Sequence, residues 1–326
     1  MWTGRFPTNA WIAPPGLFRF LLALAVVVSH LSKLDIGRMA VLLFFFLSGY
    51  WVSKIWITKF DGHNVRRFYA SRYLRVVPLY LILMAVAALA RGLPIQPVNL
   101  ALFGVASADN DPVGISWSLD VELQFYMILP LVFFIAAHVS SAVTGLITLA
   151  CAVLGWALET SVGFVSVAQY LPPFILGLMT QRLAWTPGPR TAAASLAGFI
   201  LFTAVAALAP STATFLDKTT PDPFDRDIFA FFWMAPLIPY VARSLTLRSG
   251  PLDRHLGNLS FPVYLVHYPV VSVLAEHFGL GGTTKVLAVL ISLVIAGLVY
   301  VFIDRPIDAW RVRRTEQVAS RRAVAA

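Results

Sequence analysis

The sequence predicts an all-α integral membrane protein, a bundle of about ten transmembrane helices with both termini in the cytoplasm. Of its 326 residues, 58% are hydrophobic and only 13% are charged, and the mean hydropathy is +0.76. Soluble domains carry roughly a quarter charged residues, and their cores do not bury so large an apolar fraction. A soluble enzyme is therefore excluded, and lipid is expected to cover much of the surface.

Apolar runs of membrane-spanning length recur along the chain. A helix needs about 17–25 apolar residues to cross ~30 Å of hydrocarbon. Prolines or ionisable residues interrupt several runs, and helices that face only lipid need neither. The predicted spans are 17–33, 37–57, 76–91, 117–137, 142–158, 164–181, 192–209, 228–246, 259–277 and 284–303.

The basic residues concentrate on one side of this predicted bundle. Nineteen of the 25 Lys and Arg residues fall on that side. Because cytoplasmic loops are enriched in Lys and Arg, this side is assigned to the cytoplasm, and the protein is expected in the plasma (inner) membrane. The net charge of +9 is then explained by orientation, and no nucleic-acid partner is predicted.

Few features are expected outside the bundle. The first fifteen residues lack the pattern of a cleaved signal peptide, and the predicted division is a membrane domain at 1–306 and a basic cytoplasmic tail at 307–326. The external loop 210–226 is interpreted as a solvated linker in preference to an acceptor contact. The single cysteine, Cys151, cannot form an intramolecular disulfide, and no ligand cluster predicts a metal.

Arg19 and His30 are the first ionisable residues at membrane depth. Eleven residues of α-helix rise about 16 Å and make about three turns, so both side chains lie on one face of the first span. An arginine at the cytoplasmic end and an imidazole in the external half suit a long, thin, anionic cosubstrate. The alternative is that Arg19 only snorkels to the interface and His30 is an interfacial histidine.

Asp120 and Glu122 lie in the external end of the fourth span, just after Trp117. The depth of Glu122 resembles that of His30, so a carboxylate from one helix could meet an imidazole from another. Such a contact fixes the histidine tautomer and raises its basicity, as a general base requires. The alternative for both residues is a structural buried ion pair or simple exposure to water, and this alternative is favoured for Asp120 but not for Glu122.

Arg72 and Arg75 are three residues apart on one helical face, and Tyr80 follows beyond Pro78. Guanidinium groups bind phosphate oxygens in bidentate fashion, so this pair suits a nucleotide-bearing donor from the cytoplasm. Membrane orientation alone would also place arginines here.

His267 lies near the middle of the ninth span, between two prolines, where a buried structural histidine is the alternative to a functional one.

Six segments carry these residues in a specific order. They are RFLLALAVVVSH at 19–30, FFFLSGYWVSKI at 44–55, RFYASRYLRVVPLY at 67–80, WSLDVELQFYMILP at 117–130, LSFPVYLVHYPV at 259–270 and IDRP at 303–306. This order resembles the acyltransferase-3 family of integral membrane acyltransferases. The resemblance spans nearly the whole chain, although 140–250 matches in hydrophobic topology only.

The resemblance implies a bundle that takes an acyl group, most often acetyl, from acyl-CoA on the cytoplasmic side. The group ends on a hydroxyl of a glycan or glycolipid, usually on the outer side. The family's motif positions fall here on Arg19, His30, Arg72, Arg75, Glu122 and His267.

Roles for these residues follow as expectations. His30 and Glu122 are expected to be catalytic, and acyl-CoA, with acetyl-CoA as its expected form, is expected to contact Arg19, Arg72 and Arg75. Support of the substrate or the oxyanion is assigned to Trp117, His267 and Tyr80. His30 could act as a base or carry the acyl group transiently. The competing classes are a proton-coupled transporter or flippase, which would use the same ionisable residues as a pathway, and a non-enzymatic scaffold.

Overall fold

The computed structural model describes residues 11–60, 64–219 and 225–315. These residues form helices and short connections, and the only β-type pairing among them is an isolated bridge between Leu34 and Asp217. The predicted all-α class is therefore confirmed.

The described residues form fourteen α-helices, of which the longest contain 25 to 28 residues. Short 3-10 turns and one π-helical segment connect some of them. The α-helices are α1 (Pro15–Leu31), α2 (Ile36–Phe60), α3 (Val65–Arg91), α4 (Pro97–Ala101), α5 (Ser116–His138), α6 (Ser141–Val162), α7 (Leu171–Arg182), α8 (Pro189–Leu208), α9 (Pro210–Ala213), α10 (Arg226–Met234), α11 (Ile238–Ser244), α12 (Pro251–Phe278), α13 (Gly282–Val299) and α14 (Arg305–Thr315).

The chain divides into two compact units. The first consists of Met1–Phe44 and Leu183–Tyr264, and the second consists of Phe45–Arg182 and Leu265–Ala326. Helices α2 and α12 each have residues in both units. Each unit contains its own buried apolar side chains.

Seven helical segments among the described residues are long and apolar enough to cross a membrane, which makes the chain a multi-pass membrane protein. They are α2, α3, α5, α6, α8, α12 and the continuous segment Gly282–Thr315. The other three predicted spans correspond to the 17-residue α1, the 12-residue α7 and the pair α10 and α11. A helix of 12 residues rises about 18 Å, less than ~30 Å of hydrocarbon. The count of ten spans stays a prediction.

In the first unit, the start of α1 lies against the start of α12. The Asp253 carboxylate accepts hydrogen bonds from the backbone N–H groups of Gly16 at 3.1 Å and Leu17 at 2.7 Å. A helix leaves these N-terminal donors without partners of its own. A Cβ at Gly16 would overlap the backbone of Asp253, and one at Gly257 would press on Gly16. The two glycines therefore permit the close approach by which Asp253 caps α1.

Ser195 on α8 lies where the predicted span 228–246 is broken. Its hydroxyl donates to the carbonyl of Pro236 at 2.6 Å and accepts from the N–H of Tyr240 at 3.0 Å. An uninterrupted helix would join those two backbone groups directly. A side chain inserted into this ladder is a known cause of kinks, and the 3-10 turn Ala235–Leu237 separates α10 from α11 here.

In the second unit, α2 and α7 approach each other closely through two glycines. A Cβ at Gly49 would overlap the backbone of α7, and a Cβ at Gly177 would overlap the backbone of α2. Small residues allow such approaches between membrane helices. Beside this crossing, the ring of Phe174 stacks on Phe45 at 4.6 Å and on Phe125 at 4.1 Å. These contacts fix the part of α2 that follows residue 44.

The last helical segment runs through the predicted domain boundary at residue 306. A π-helical segment, Tyr300–Asp304, leads directly into α14, and α14 packs on α3. Such π segments are frequent at functional sites. Residues 1–10 and 316–326, which include most of the predicted basic tail, lie outside the described residues, and the cytoplasmic placement of both termini stays a prediction.

Candidate functional site

Glu122 on α5 is the centre of a hydroxyl network in the second unit. Ser48 Oγ on α2 donates to Glu122 Oε1 at 2.7 Å, and the Tyr126 hydroxyl donates to the same oxygen. The two hydroxyl oxygens are 3.3 Å apart. Residues 122 and 126 share a helix face because they are four apart. The network therefore joins the FLSGYW segment to the WSLDVELQFY segment and fixes the Glu122 carboxylate.

Arg72 on α3 lies close to this network. It interacts electrostatically with the Tyr126 phenol, and its side chain is almost fully buried, with 7% of the residue exposed. Its Nη2 donates to Ser71 Oγ at 3.1 Å. Arg75 is more accessible, and its Nη1 forms an ion pair with Asp304 Oδ1 at 2.8 Å. The two predicted phosphate-binding residues thus differ in burial and in partner.

The π-helical segment and α14 together supply two acidic partners of Arg75 and an arginine that shares Ser71 with Arg72. Asp304, Asp308 and Arg311 are spaced four and three residues apart, so they share one helix face. Arg311 Nη1 donates to Ser71 Oγ at 2.6 Å, and its Nε and Nη2 both donate to Asp308 Oδ1. Asp308 Oδ1 also lies 3.8 Å from Arg75 Nη1. Guanidinium and carboxylate groups of α3 and α14 therefore form one connected network.

The N-terminus of α5 is held by Asp111. This carboxylate accepts from the Ser116 N–H and the Ser116 hydroxyl, both at 2.7 Å, and from the Val113 N–H at 3.0 Å. Tyr80 is completely buried, and its phenol lies beside Ser116. The predicted support residue Tyr80 is thus placed at the start of the helix that carries Glu122.

Asp120 is completely buried rather than exposed to water. Its two oxygens accept hydrogen bonds from the Ala106 N–H at 3.0 Å and the Gln124 side-chain amide at 2.9 Å. The Gln124 amide oxygen in turn accepts from the Val167 N–H at 2.8 Å. The interpretation that Asp120 faces water is therefore wrong, because its carboxylate fixes a loop against α5.

Trp117 and His267 are also in the second unit. The Trp117 ring packs edge-on against Phe45, with ring centres 6.2 Å apart, and in a tilted orientation against Tyr170, with ring centres 5.5 Å apart. His267 on α12 is completely buried. The next residue, Tyr268, packs so closely on Gly114 that a Cβ there would overlap its ring, and Gly114 also has a φ of +79°. The packing of Tyr268 fixes the rotation of α12 at the level of His267.

Arg19 and His30 lie on α1 in the first unit, and both are partly exposed. His30 is in the last turn of α1, which ends at Leu31. The hydroxyl of the preceding residue, Ser29, donates to the Leu34 carbonyl at 2.9 Å. A Cβ at Gly37 would press on the Ser29 side chain, so the turn after His30 is tightly packed.

Lys218 contacts the same turn from a later part of the first unit. Its Nζ donates to the Ser29 carbonyl, one of the C-terminal carbonyls that α1 leaves available. The Lys218 N–H donates to the Lys33 carbonyl at 2.8 Å. Burial lowers the pKa of the Lys218 ammonium from its ordinary value of 10.5, although Asp35 opposes this effect. A cation at a helix C-terminus also interacts favourably with the helix dipole.

Two ion pairs hold the connection after α1. Arg226 Nη1 lies 3.2 Å from Asp35 Oδ2, and Arg38 Nη1 lies 2.7 Å from Asp227 Oδ1. The Arg226 guanidinium also donates to the Asp217 carbonyl at 3.2 Å. Residues 217–219 and the start of α10 are thereby joined to the connection between α1 and α2.

The structure places most of the predicted site residues in one unit. Those in the second unit are Arg72, Arg75, Tyr80, Trp117, Glu122 and His267. Arg19 and His30 belong to the first unit, so the contact between His30 and Glu122 and the grouping of Arg19 with the α3 arginines stay predictions. No group of three or more His, Cys, Asp or Glu residues that could hold a metal occurs within the described ranges.

Sequence reasoning missed four polar residues that contact the predicted ones directly or through one further residue. The spacing of four residues after Glu122 could have indicated Tyr126, and the FLSGYW segment contains Ser48. Ser71 lies in the RFYASRYLRVVPLY segment, but its contact with Arg311 had no signal, because it joins positions 240 residues apart. Arg311 was interpreted only as part of a basic tail.

Comparison with known protein families gives a match over most of the chain. The acyltransferase domain model of the Acyl_transf_3 family matches residues 14–303. No curated protein and no solved structure matches the chain significantly. The family match includes α1 to α13 and all the motif positions from Arg19 to His267, whereas α14 lies beyond it. The chain therefore belongs to the acyltransferase-3 family of membrane acyltransferases.

Proposed function

We propose that this protein transfers an acyl group, with acetyl as the expected form, from cytoplasmic acyl-CoA to a hydroxyl of a cell-surface carbohydrate. Exopolysaccharide and lipopolysaccharide are the expected acceptors. The observation that carries the proposal is the hydroxyl network at Glu122, with Arg72 beside it. The second unit thereby combines a fixed carboxylate on α5 with guanidinium groups on α3 that are suited to phosphate.

The donor is assigned to the arginines. Acyl-CoA carries phosphates at its nucleotide end, and Arg72, Arg75 and Arg19 would contact them. Phosphate recognition requires guanidinium planes in a defined orientation. The contacts of Ser71 with Arg72 and of Asp304 with Arg75 provide such an orientation in the second unit.

Catalysis is assigned to His30 and Glu122. In this mechanism His30 removes the proton from an acceptor hydroxyl as the oxygen attacks the thioester carbonyl, and CoA leaves as the thiolate. Glu122 would orient the imidazole. In the alternative route, His30 itself attacks the thioester and passes the acyl group to the hydroxyl in a second step.

Three further residues are proposed to support the reaction. Trp117, Tyr80 and His267 would line the path of the substrate or stabilise the oxyanion that forms on the thioester carbonyl. Tyr80 and His267 are completely buried, and the Trp117 ring packs against Phe45 and Tyr170, so each side chain is held in place. Rigid support of this kind is what electrostatic stabilisation of a transition state requires.

The proposal also includes the membrane arrangement. Ten spans with both termini in the cytoplasm of the inner membrane would place the α3 arginines on the donor side. His30 would then lie towards the acceptor side. The excess of cations on the assigned cytoplasmic side supports this orientation.

The experiment is an acyl-transfer assay with the purified full-length protein in lipid vesicles. Acetyl-CoA labelled in its acetyl group is supplied with an extracted surface glycan, and free CoA and labelled glycan are both measured. We expect stoichiometric appearance of the two products. Glycan movement across the vesicle without CoA release would instead indicate a flippase, and neither activity would indicate a scaffold. Mass spectrometry of surface glycans after deletion of the protein would identify the acceptor.

A further inference from the structure

Asp308 and Arg311 of α14 lie beyond the segment 14–303 that matches the family model, yet they are linked to both arginines proposed to bind the donor. Ser71 Oγ, which is completely buried, accepts hydrogen bonds from Arg72 at 3.1 Å and from Arg311 at 2.6 Å. A hydroxyl oxygen has two lone pairs, so the two guanidinium groups can bind it together. Arg311 is thus linked to Arg72 through a single oxygen atom.

A second connection leads from α14 to Arg75. Asp308 Oδ1 accepts from Arg311 Nε at 3.1 Å and Nη2 at 2.9 Å. The same oxygen is 3.8 Å from Arg75 Nη1, which is also paired with Asp304 at 2.8 Å. Arg311 uses three nitrogens for these contacts, and the residue is only 6% exposed. Its guanidinium plane is therefore fixed.

We propose that Arg311 is a positioning residue of the donor site, which fixes Arg72 through Ser71 and Arg75 through Asp308 so that both guanidinium groups can bind the phosphates of acyl-CoA. This inference rests on the proposed function and adds α14 to its donor site. Bidentate binding depends on the guanidinium orientation, and a displaced fork loses contacts with phosphate even though its charge is kept. Arg311 itself need not touch the donor.

The geometry distinguishes Arg311 from the neighbouring cations of α14. Arg313 and Arg314 are exposed, and the Arg314 guanidinium lies 5.3 Å from the centre of the Trp310 ring on the same helix. The Arg313 Nε donates to the Ala309 carbonyl of its own helix at 3.3 Å. Arg314→Gln therefore removes the same charge from the same helix without removing the contact with Ser71, and it is the matched control.

The test compares two donors, acetyl-CoA and acetyl-pantetheine, which has the same thioester but no nucleotide phosphates. Membranes that contain the full-length protein and its native glycans are assayed for acetyl transfer. For Arg311→Gln we expect a KM for acetyl-CoA raised about tenfold, equivalent to about 1.4 kcal/mol. The rate with acetyl-pantetheine should remain that of wild type. Arg314→Gln should match wild type with both donors. Arg311→Lys should have a KM for acetyl-CoA between those of wild type and Arg311→Gln.

Ser71→Ala keeps every arginine and removes only the bridging hydroxyl, so it provides a second variant if Arg311→Gln does not accumulate. We expect the KM for acetyl-CoA to rise about threefold or more, again without an effect on acetyl-pantetheine. An unchanged KM in an accumulated variant, or an equal loss with both donors, would overturn the role of Arg311. Failure of wild-type protein to use acetyl-CoA would instead contradict the proposed function.

Discussion

Ser48 Oγ lies 2.7 Å from Glu122 Oε1, and this hydrogen bond joins α2 to α5 at the acid of the WSL segment. The Tyr126 hydroxyl donates to the same carboxylate oxygen. Two hydroxyl donors thus hold one side-chain oxygen in place. A carboxylate that must orient another group needs such fixed partners, because a mobile acid would spend much of its time in unproductive rotamers.

Replacement of Glu122 should affect turnover more than folding. We expect Glu122→Gln to lower kcat for acetyl transfer about 100-fold or more, because the amide does not orient and stabilise a protonated imidazole as a carboxylate does. Ser48→Ala should lower kcat about tenfold, since it removes one of the donors that hold the carboxylate. Glu276→Gln, at an exposed position near the end of α12, is the control. Equal activity of Glu122→Gln and the control would contradict this role.

The close crossing of α2 and α7 predicts a strong effect of added volume. Gly177→Ala should lower the free energy of unfolding by at least about 2 kcal/mol, because its Cβ would overlap backbone rather than a movable side chain. Gly145→Ala on α6 is the control, since nothing lies within 4 Å of a Cβ there. Thermal unfolding in detergent measures the stability of both variants. Similar midpoints for the two variants would exclude a close helix crossing.

The hydroxyl of Ser195 predicts a second stability effect. Ser195→Ala should destabilise the protein by about 1–3 kcal/mol, because the Pro236 carbonyl and the Tyr240 N–H both lose this hydroxyl. Ser161→Ala provides a comparison, since the Ser161 hydroxyl is exposed and donates only within its own helix at Ala157. An unchanged midpoint for Ser195→Ala would show that α10 and α11 do not depend on the inserted hydroxyl.

The buried position of Lys218 predicts a dependence of stability on pH. Burial lowers the pKa of the Lys218 ammonium in the folded state from its ordinary value of 10.5. At a pH between the folded-state pKa and the unfolded-state pKa, the unfolded chain therefore holds the proton more often. Stability from this residue should therefore rise as the pH increases towards about 10.5. The unfolding midpoint of wild type, relative to Lys218→Met, should increase as the pH rises towards about 10.5. A constant or falling difference would contradict the desolvation of this ammonium.

Hydrophobic run length was sufficient to predict the all-α membrane class and the approximate positions of the helices. Run length was insufficient to predict the helices within residues 164–181 and 228–246, although the length and composition of these segments resemble those of transmembrane spans. The first contains only the 12-residue α7, and the second is interrupted beside Ser195. Pro236 and Pro239 lie at this break and indicate it in the sequence, whereas the Ser195 hydroxyl, which binds the Pro236 carbonyl and the Tyr240 N–H from α8, has no local signal.

The candidate site was predicted as motif positions, not as contacts. Order along the chain identified Glu122, Arg72 and Arg75 through the family resemblance. It did not indicate that Ser48 and Tyr126 bind Glu122, or that Arg311 binds Ser71. Asp120 shows the same limit, because sequence does not distinguish the surroundings of two acids that lie two residues apart in a helix. Its burial depends on the loop containing Ala106 and on Gln124.

The central claim is that His30 takes part in acyl transfer, and acetyl transfer by His30→Ala measures it most directly. Membranes with wild type, His30→Ala or His138→Ala are supplied with labelled acetyl-CoA, and label on surface glycan is counted. His138 is exposed at the end of α5 and contacts only its own helix turn, so His138→Ala should match wild type. We predict that His30→Ala loses transfer by about 100-fold or more at wild-type protein levels. Full transfer by His30→Ala would contradict both the base and the acyl-histidine mechanisms.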